Sequence, residues 1–380
     1  MNYKQKIESH INIIKDKLFH QEYNTKVSNS SVLSGRLSRL IFLSSLDAYY
    51  SNEEHKDYIN NAIKKEIEFI NDNAISQFSI DGLAGFVHGV ILLSNRTEIK
   101  NIDQDFFKEI DEHLITLSKF YLDRNNIDPF HGFIGIGHII LLRIKKDPHL
   151  LESTEPLVAQ LLSIVNDIID NEKKDEIDFS LAHGLSAVLR FITEYGISSS
   201  QIEKYKDFIS KLCFFILSHK KQNRMPDRIN TEEGEPTFAP LRWCHGDLGI
   251  CYALGKAAKA IDDDEIYTQT ALVLDVITVF REPEDQELYS ATICHGTLGV
   301  AHVFSKICTI YNSSNVLTAT NYWYAESLKL LNSDVAYNYV DNDKNKAELT
   351  GTLNGIEGVG LGLLAHINDG DECLDSILQL

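Results

Sequence analysis

The sequence predicts an all-α fold: an α/α toroid of seven inner and seven outer helices, with residues 1–380 forming one domain. Three observations carry this. A short glycine motif recurs seven times, at intervals of about fifty to sixty residues. Each copy opens a run that is apolar nearly all round, and amphipathic, charged runs alternate with these. No comparable series of segments alternating with period two is present, so strands do not organise the chain. Self-similarity at such a period marks a stacked-repeat architecture.

The elements follow in order. Residues 3–18 supply the first amphipathic segment, and "GRLSRLIFL" from Gly35 the first apolar one. Segment 53–71 precedes "GLAGFVHGVILL" from Gly82, and 103–122 precedes "GFIGIGHIILL" from Gly132. In 103–122 the residues Phe106, Ile110, Leu114, Leu117 and Tyr121 fall on one helical stripe, with Lys and Glu opposite. Segment 156–170 leads to "GLSAVLRFI" from Gly184, and 200–218 to "GDLGICYALG" from Gly246. Segment 263–281 leads to "GTLGVAHVF" from Gly296, and 318–332 to "GIEGVGLGLLA" from Gly355. An open solenoid is the competing arrangement, but it needs polar capping repeats, and neither end shows one clearly. The array is therefore expected to close, with apolar helices inside and amphipathic ones outside. Small residues at i and i+3 let neighbours approach each helix start closely.

Hydrophobic residues make up 43% and charged residues 24%, the balance of a globular chain. No apolar run is long enough to span a bilayer, and "MNYKQKIESH" is no secretion signal. A cytoplasmic location is expected. The net charge of -19 argues against nucleic acid as a partner, because phosphate binding needs clustered Lys and Arg. Six cysteines in such a chain point to metal binding, catalysis or burial before disulfides.

The residue before the leading glycine is histidine in four motifs: His131, His183, His245 and His295. If equivalent positions of a toroid face one end, these side chains converge on one mouth. Two of the four follow a cysteine, in "WCHGDLG" (243–249) and "ICHGTLG" (293–299), which holds Cys294 and His295. Cys244, Cys294 and His295 form a donor set suited to zinc, with His245 as a nominal fourth. The rival is a disulfide between Cys244 and Cys294. Cys213, Cys251, Cys308 and Cys373 read as apolar filler. A zinc ion with two thiolate ligands suits activation of an incoming thiol, since a coordinated thiol loses its proton; hydrolysis more often uses His- and carboxylate-rich sites.

Taken together, "WCHGDLG", "CHGTLG", "LAHGLSA" and the glycine-opened helices resemble the lanthionine synthetase C-like family, the cyclases of lanthipeptide biosynthesis. The likeness runs through all seven motifs. The order and separation of Trp-Cys-x-Gly and the later Cys-His-Gly are specific, whereas a lone GxxG is weak. The resemblance implies seven inner and seven outer helices around one zinc held by Cys244, Cys294 and His295. It implies that a peptide cysteine takes the open position and adds to dehydroalanine or dehydrobutyrine, giving lanthionine or methyllanthionine rings. His183 matches the family's "AHG" histidine and Asp128, in "DPFHG", its aspartate; they are expected to act as acid/base and helper. His245 stands where the family often has tyrosine, and is expected to support a ligand or handle protons. Leu248 replaces the proline of the family's GxPG, and Arg242 lies near, but out of register with, a family arginine. His131 is extra. The implied partners are a dehydrated precursor peptide with leader and core, a separate dehydratase and an exporter, the last two placing the chain at the inner face of a membrane. A glutathione-adding enzyme acting on dehydrated proteins and a non-catalytic peptide-binding toroid are the alternatives. Segment 221–241 reads as a polar loop beside the site, a lid or peptide-binding element.

Overall fold

The computed structural model describes residues 2–20, 29–72, 82–100, 102, 104–171, 176–230, 236–368 and 370–380. An apolar helix follows each of the seven glycine motifs: α2 (Leu37–Tyr50), α4 (Leu83–Ser94), α6 (Phe133–Ile144), α8 (Leu185–Ser198), α10 (Asp247–Ile261), α12 (Thr297–Ile310) and α14 (Ile356–Ile367). Amphipathic helices alternate with them: α1 (Tyr3–His20), α3 (Lys56–Asp72), α5 (Gln104–Leu122), α7 (Leu150–Asn171), α9 (Ile202–Ser218), α11 (Asp264–Ile277) and α13 (Ser314–Leu331).

Each inner helix packs on the next, and α14 packs on α2, so the ring closes. Closure is specific. Leu353 N–H donates to Leu33 O at 3.0 Å, and Thr352 Oγ1 donates to Val32 O at 2.7 Å. Gly360 of α14 lies against the Phe42 ring of α2, where any Cβ would collide. The chain is an α/α toroid, as the repeat predicts. The outer helices bury one stripe only: on α5, Ile110 and Leu114 are buried, while Phe106, Leu117 and Tyr121 pack at its margin.

The predicted segments match the helices to within a few residues, with one exception. Helix α7 begins at Leu150 rather than 156, so Pro156 lies inside it. A proline forfeits a backbone hydrogen bond, but Leu157, Val158, Leu161 and Val165 beyond it are all buried, and this packing holds the helix through it. Residue 103 of the predicted segment 103–122 lies outside the described residues.

Three features were not expected. Strands β1 (Glu176–Asp178), β2 (Arg228–Asn230) and β3 (Pro236–Thr237) form an antiparallel sheet in the order β1-β2-β3, with Ile177 opposite Ile229. Strands β4 (Tyr339–Val340) and β5 (Lys346–Ala347) form a second, two-stranded pair. A short helix α15 (Glu372–Leu378) follows the last inner helix. Segment 221–241 is thus partly sheet; its residues 231–235 lie outside the described residues. No described helix is long and apolar enough to cross a membrane.

Candidate metal centre and flanking histidines

The residues just before α8, α10 and α12 share one end of the ring, and backbone bonds stitch neighbouring turns together. Ala182 N–H donates to Cys244 O at 3.2 Å, and Cys294 N–H to Leu353 O at 2.8 Å. The Cys244 thiol lies 3.7 Å from Cys294 O, which joins the fifth turn to the sixth. This places one ligand atom from each of Cys244, Cys294 and His295 within 4.8 Å of one another. Among the described residues this is the one such group, and His245 is not part of it.

Two thiols and an imidazole at this spacing fit a zinc ion, and three protein donors are the number found in catalytic sites; structural sites use four. Both cysteines are buried free thiols, without a disulfide between them. The Cys294 contact, reinforced by burial, pushes the Cys244 thiol well above its ordinary range, with His295 opposing. Without a cation the Cys244 thiol resists ionisation; a metal ion bound by the group would favour its thiolate. The cysteines also stand just ahead of the first turns of α10 and α12, whose positive dipole ends favour anions.

Beside these donors lies a stack of rings from three successive turns. The His183 ring sits between Phe130, at 5.1 Å and 30°, and His245, at 5.7 Å and 27°. Each histidine is backed by a carboxylate. His183 Nδ1 lies 3.0 Å from Asp128 Oδ2, while Asp128 Oδ1 accepts the Phe130 and His131 N–H groups, each at 2.7 Å. His245 Nδ1 lies 3.2 Å from Asp227 Oδ1, which also accepts Gly246 N–H at 2.9 Å. With Nδ1 so engaged, Nε2 of His183 has no hydrogen-bond partner among the described residues.

Electrostatics follows the geometry. The Asp128 hydrogen bond raises the His183 pKa against the opposing effect of burial. Asp227 does the same for His245. Burial pushes both carboxyls up, but the histidines and backbone N–H groups outweigh it and leave both below the usual range.

Of the residues singled out in the sequence, Cys244, Cys294 and His295 come together as one donor group. His183, Asp128 and His245 come together as the stack beside it. His131 does not join: its side chain is exposed, and it serves the site through its main-chain N–H to Asp128. Arg242 pairs with Glu287 at 2.6 Å. Asp227 was missed, because it lies in a stretch with no periodicity. Asp247, buried in the first turn of α10, places it by accepting Arg224 Nε at 2.6 Å and Met225 N–H at 2.5 Å. Tyr339 of β4 is a further neighbour, its ring 6.5 Å from that of His295.

Gly246, between His245 and α10, has φ +76° and ψ -166°, a region that only glycine enters freely. A Cβ there would also meet Ala239 Cβ at 3.1 Å. Gly246→Ala is expected to cost about 1–3 kcal/mol in urea unfolding; a stability equal to wild type would contradict this account of the turn.

The family profile described as lanthionine synthetase C-like protein matches residues 119–379. Among solved structures, nisin cyclase superposes with a TM-score of 0.70, covering 99% of this chain and 97% of that one at 17% identity. At that identity the superposition speaks for the fold. The profile spans well over half of the chain, from the end of α5 through α15, and takes in every donor and both histidine–carboxylate pairs. The chain belongs to the lanthionine synthetase C-like family.

Proposed function

We propose that the protein is a zinc-dependent lanthipeptide cyclase, which adds peptide cysteine thiols to dehydroalanine or dehydrobutyrine and closes thioether rings. The observation that carries this reading is the three-donor group of Cys244, Cys294 and His295 beside histidines backed by carboxylates. A zinc ion held by those donors would supply a thiol-binding position and lower the pKa of the thiol placed there.

The rest falls to the protein's own groups. The addition breaks the S–H bond and the C=C π bond and forms S–Cβ and Cα–H bonds, with no change in overall oxidation state. One proton must leave sulfur and one must reach the α-carbon. His183 carries these protons at Nε2, taking one as the neutral imidazole and delivering one as the imidazolium. Asp128 holds the Nδ1–H tautomer and supports the charged form. Stacking on Phe130 fixes the ring plane, and His245, oriented by Asp227, forms the other wall. The substrate is a dehydrated precursor peptide with leader and core, prepared by a separate dehydratase; an exporter is the partner that would take the product.

The test uses zinc-loaded protein and a dehydrated precursor peptide. After incubation, free thiols are alkylated and the peptide is weighed by mass spectrometry. Each ring removes one alkylation without changing the peptide mass. If every cysteine remains alkylatable while the protein holds one zinc per chain, the cyclase reading fails.

The electrostatic role of Asp128 has its own measurement. Asp128→Asn removes the charge that holds the His183 proton, so the His183 pKa must fall. Proton NMR titration of the His183 ring follows this directly, and an unmoved midpoint would show that Asp128 does not support the imidazolium.

A further inference from the structure

Helix α15 occupies the inside of the ring. Its residues Cys373, Leu374, Ile377 and Leu378 are buried, and its polar groups bond to side chains from around the toroid. Ser376 Oγ lies 3.1 Å from His88 Nε2 on α4 and 3.3 Å from His138 Nε2 on α6. Asp375 Oδ1 lies 2.9 Å from His302 Nε2 on α12, and its other oxygen pairs with Lys306. Asp371, which caps α15, pairs with Arg96 at 3.2 Å.

The inner helices carry a matching signature. Six residues after the leading glycine stand His88, His138, Arg190, Tyr252 and His302, in five consecutive repeats, while the first and seventh have Ile41 and Leu361. All five are buried. One register of otherwise apolar helices thus presents a ring of polar groups to the lumen. The imidazoles of His88 and His302 have their hydrogen bonds, among the described residues, to α15 alone. Buried polar groups require partners, and three of the five, His88, His138 and His302, find theirs on α15, while Arg190 bonds to His138 Nδ1 and to Leu380 O just beyond that helix.

The far end of α15 reaches the metal-ligand turns. Trp243 Nε1 donates to Leu378 O at 2.9 Å, and Trp243 adjoins Cys244. Ile377 and Gln379 line one small cavity together with Phe130, Leu181, Ala182 and Trp243, from the turns that carry Asp128, His183 and Cys244.

We propose that α15 is a positioning element of the metal centre: a lumen plug that the polar ring holds in place and that fixes the Cys244 turn from below through Trp243. The proposal rests on the metal reading of the site and not on the thioether chemistry.

The test measures zinc affinity by chelator competition, and the absorption spectrum of bound Co2+, in the full-length protein. Ser376→Ala removes the hydroxyl shared by His88 and His138. Trp243→Phe keeps a ring and removes the N–H donor. Both variants are expected to bind zinc about tenfold more weakly, the lower range for supports of a metal site, and to shift the Co2+ spectrum. Ser376→Thr, which keeps the hydroxyl, is expected to restore both. Wild-type affinity and spectrum in either Ser376→Ala or Trp243→Phe would overturn the proposal, as would Ser376→Thr behaving like Ser376→Ala. Absence of thioether product from the wild type would instead sink the cyclase reading and leave these metal measurements intact.

Discussion

Replacing Cys294 with alanine is expected to abolish stoichiometric zinc binding and, with it, ring formation. Cys294 is one of three donors, and two remaining donors do not make a zinc site of useful affinity. Its loss also removes the hydrogen-bonding neighbour of Cys244. The fold should survive. The Cys294 N–H bond to Leu353 O belongs to the main chain, and the lost thiol leaves only a small gap. Cys251→Ala is the control, since Cys251 is equally buried on α10 but is not part of the donor group. Metal analysis of the two purified variants should give near zero for the first and about one zinc per chain for the second. The cyclisation rate of Cys294→Ala should fall by more than about a thousandfold, as the thiol then has to ionise at its ordinary pKa in solution. Zinc at one per chain in Cys294→Ala would remove Cys294 from the ligand set.

The fold was legible because each inner helix announces itself by the same device. Gly299 and Gly358 show why: each lies so close to the backbone of the turn before it, at Ile293 and Thr352, that a Cβ would collide. Glycine spacing therefore records a packing requirement, and packing is what builds the ring. Where local rules and packing disagreed, packing won, as at Pro156. The donors were legible for a related reason: equivalent repeat positions share one end of the toroid, so Cys244, Cys294 and His295 meet although fifty residues separate their turns. The repeat placed His183 among four histidines expected at one mouth, and the family resemblance gave it its role and singled out Asp128.

What stayed hidden depends on single tertiary contacts. Asp227 reaches His245 because its own backbone is held by Thr237 O and Phe179 N–H, while Asp247 grips Arg224 and the Met225 backbone just before it. No periodicity encodes that. Helix α15 is too short to announce itself, yet its counterpart was in view: polar residues at one register of five apolar helices are costly inside a core. Such a pattern signals that something polar fills the lumen.

Replacing His183 with alanine is expected to slow cyclisation by about a hundredfold to ten-thousandfold while zinc stays near one per chain. The separation of the two readouts follows from position. His183 is held by Asp128 and stacked on Phe130 and His245, and it stands outside the donor group. Substrate binding should be nearly unaffected, because the imidazole acts on protons and does not anchor the peptide, so the loss should fall on kcat. Asp128→Asn should lie between wild type and His183→Ala, since the imidazole remains but its charged form loses support. A Asp128→Asn/His183→Ala double variant should be no slower than His183→Ala alone, because a partner has nothing to orient once the ring is gone. Loss of zinc from His183→Ala would mean that the histidine is a ligand. A wild-type rate would move the proton-handling role to His245, whose Asp227 pairing makes it the remaining imidazole of the same design.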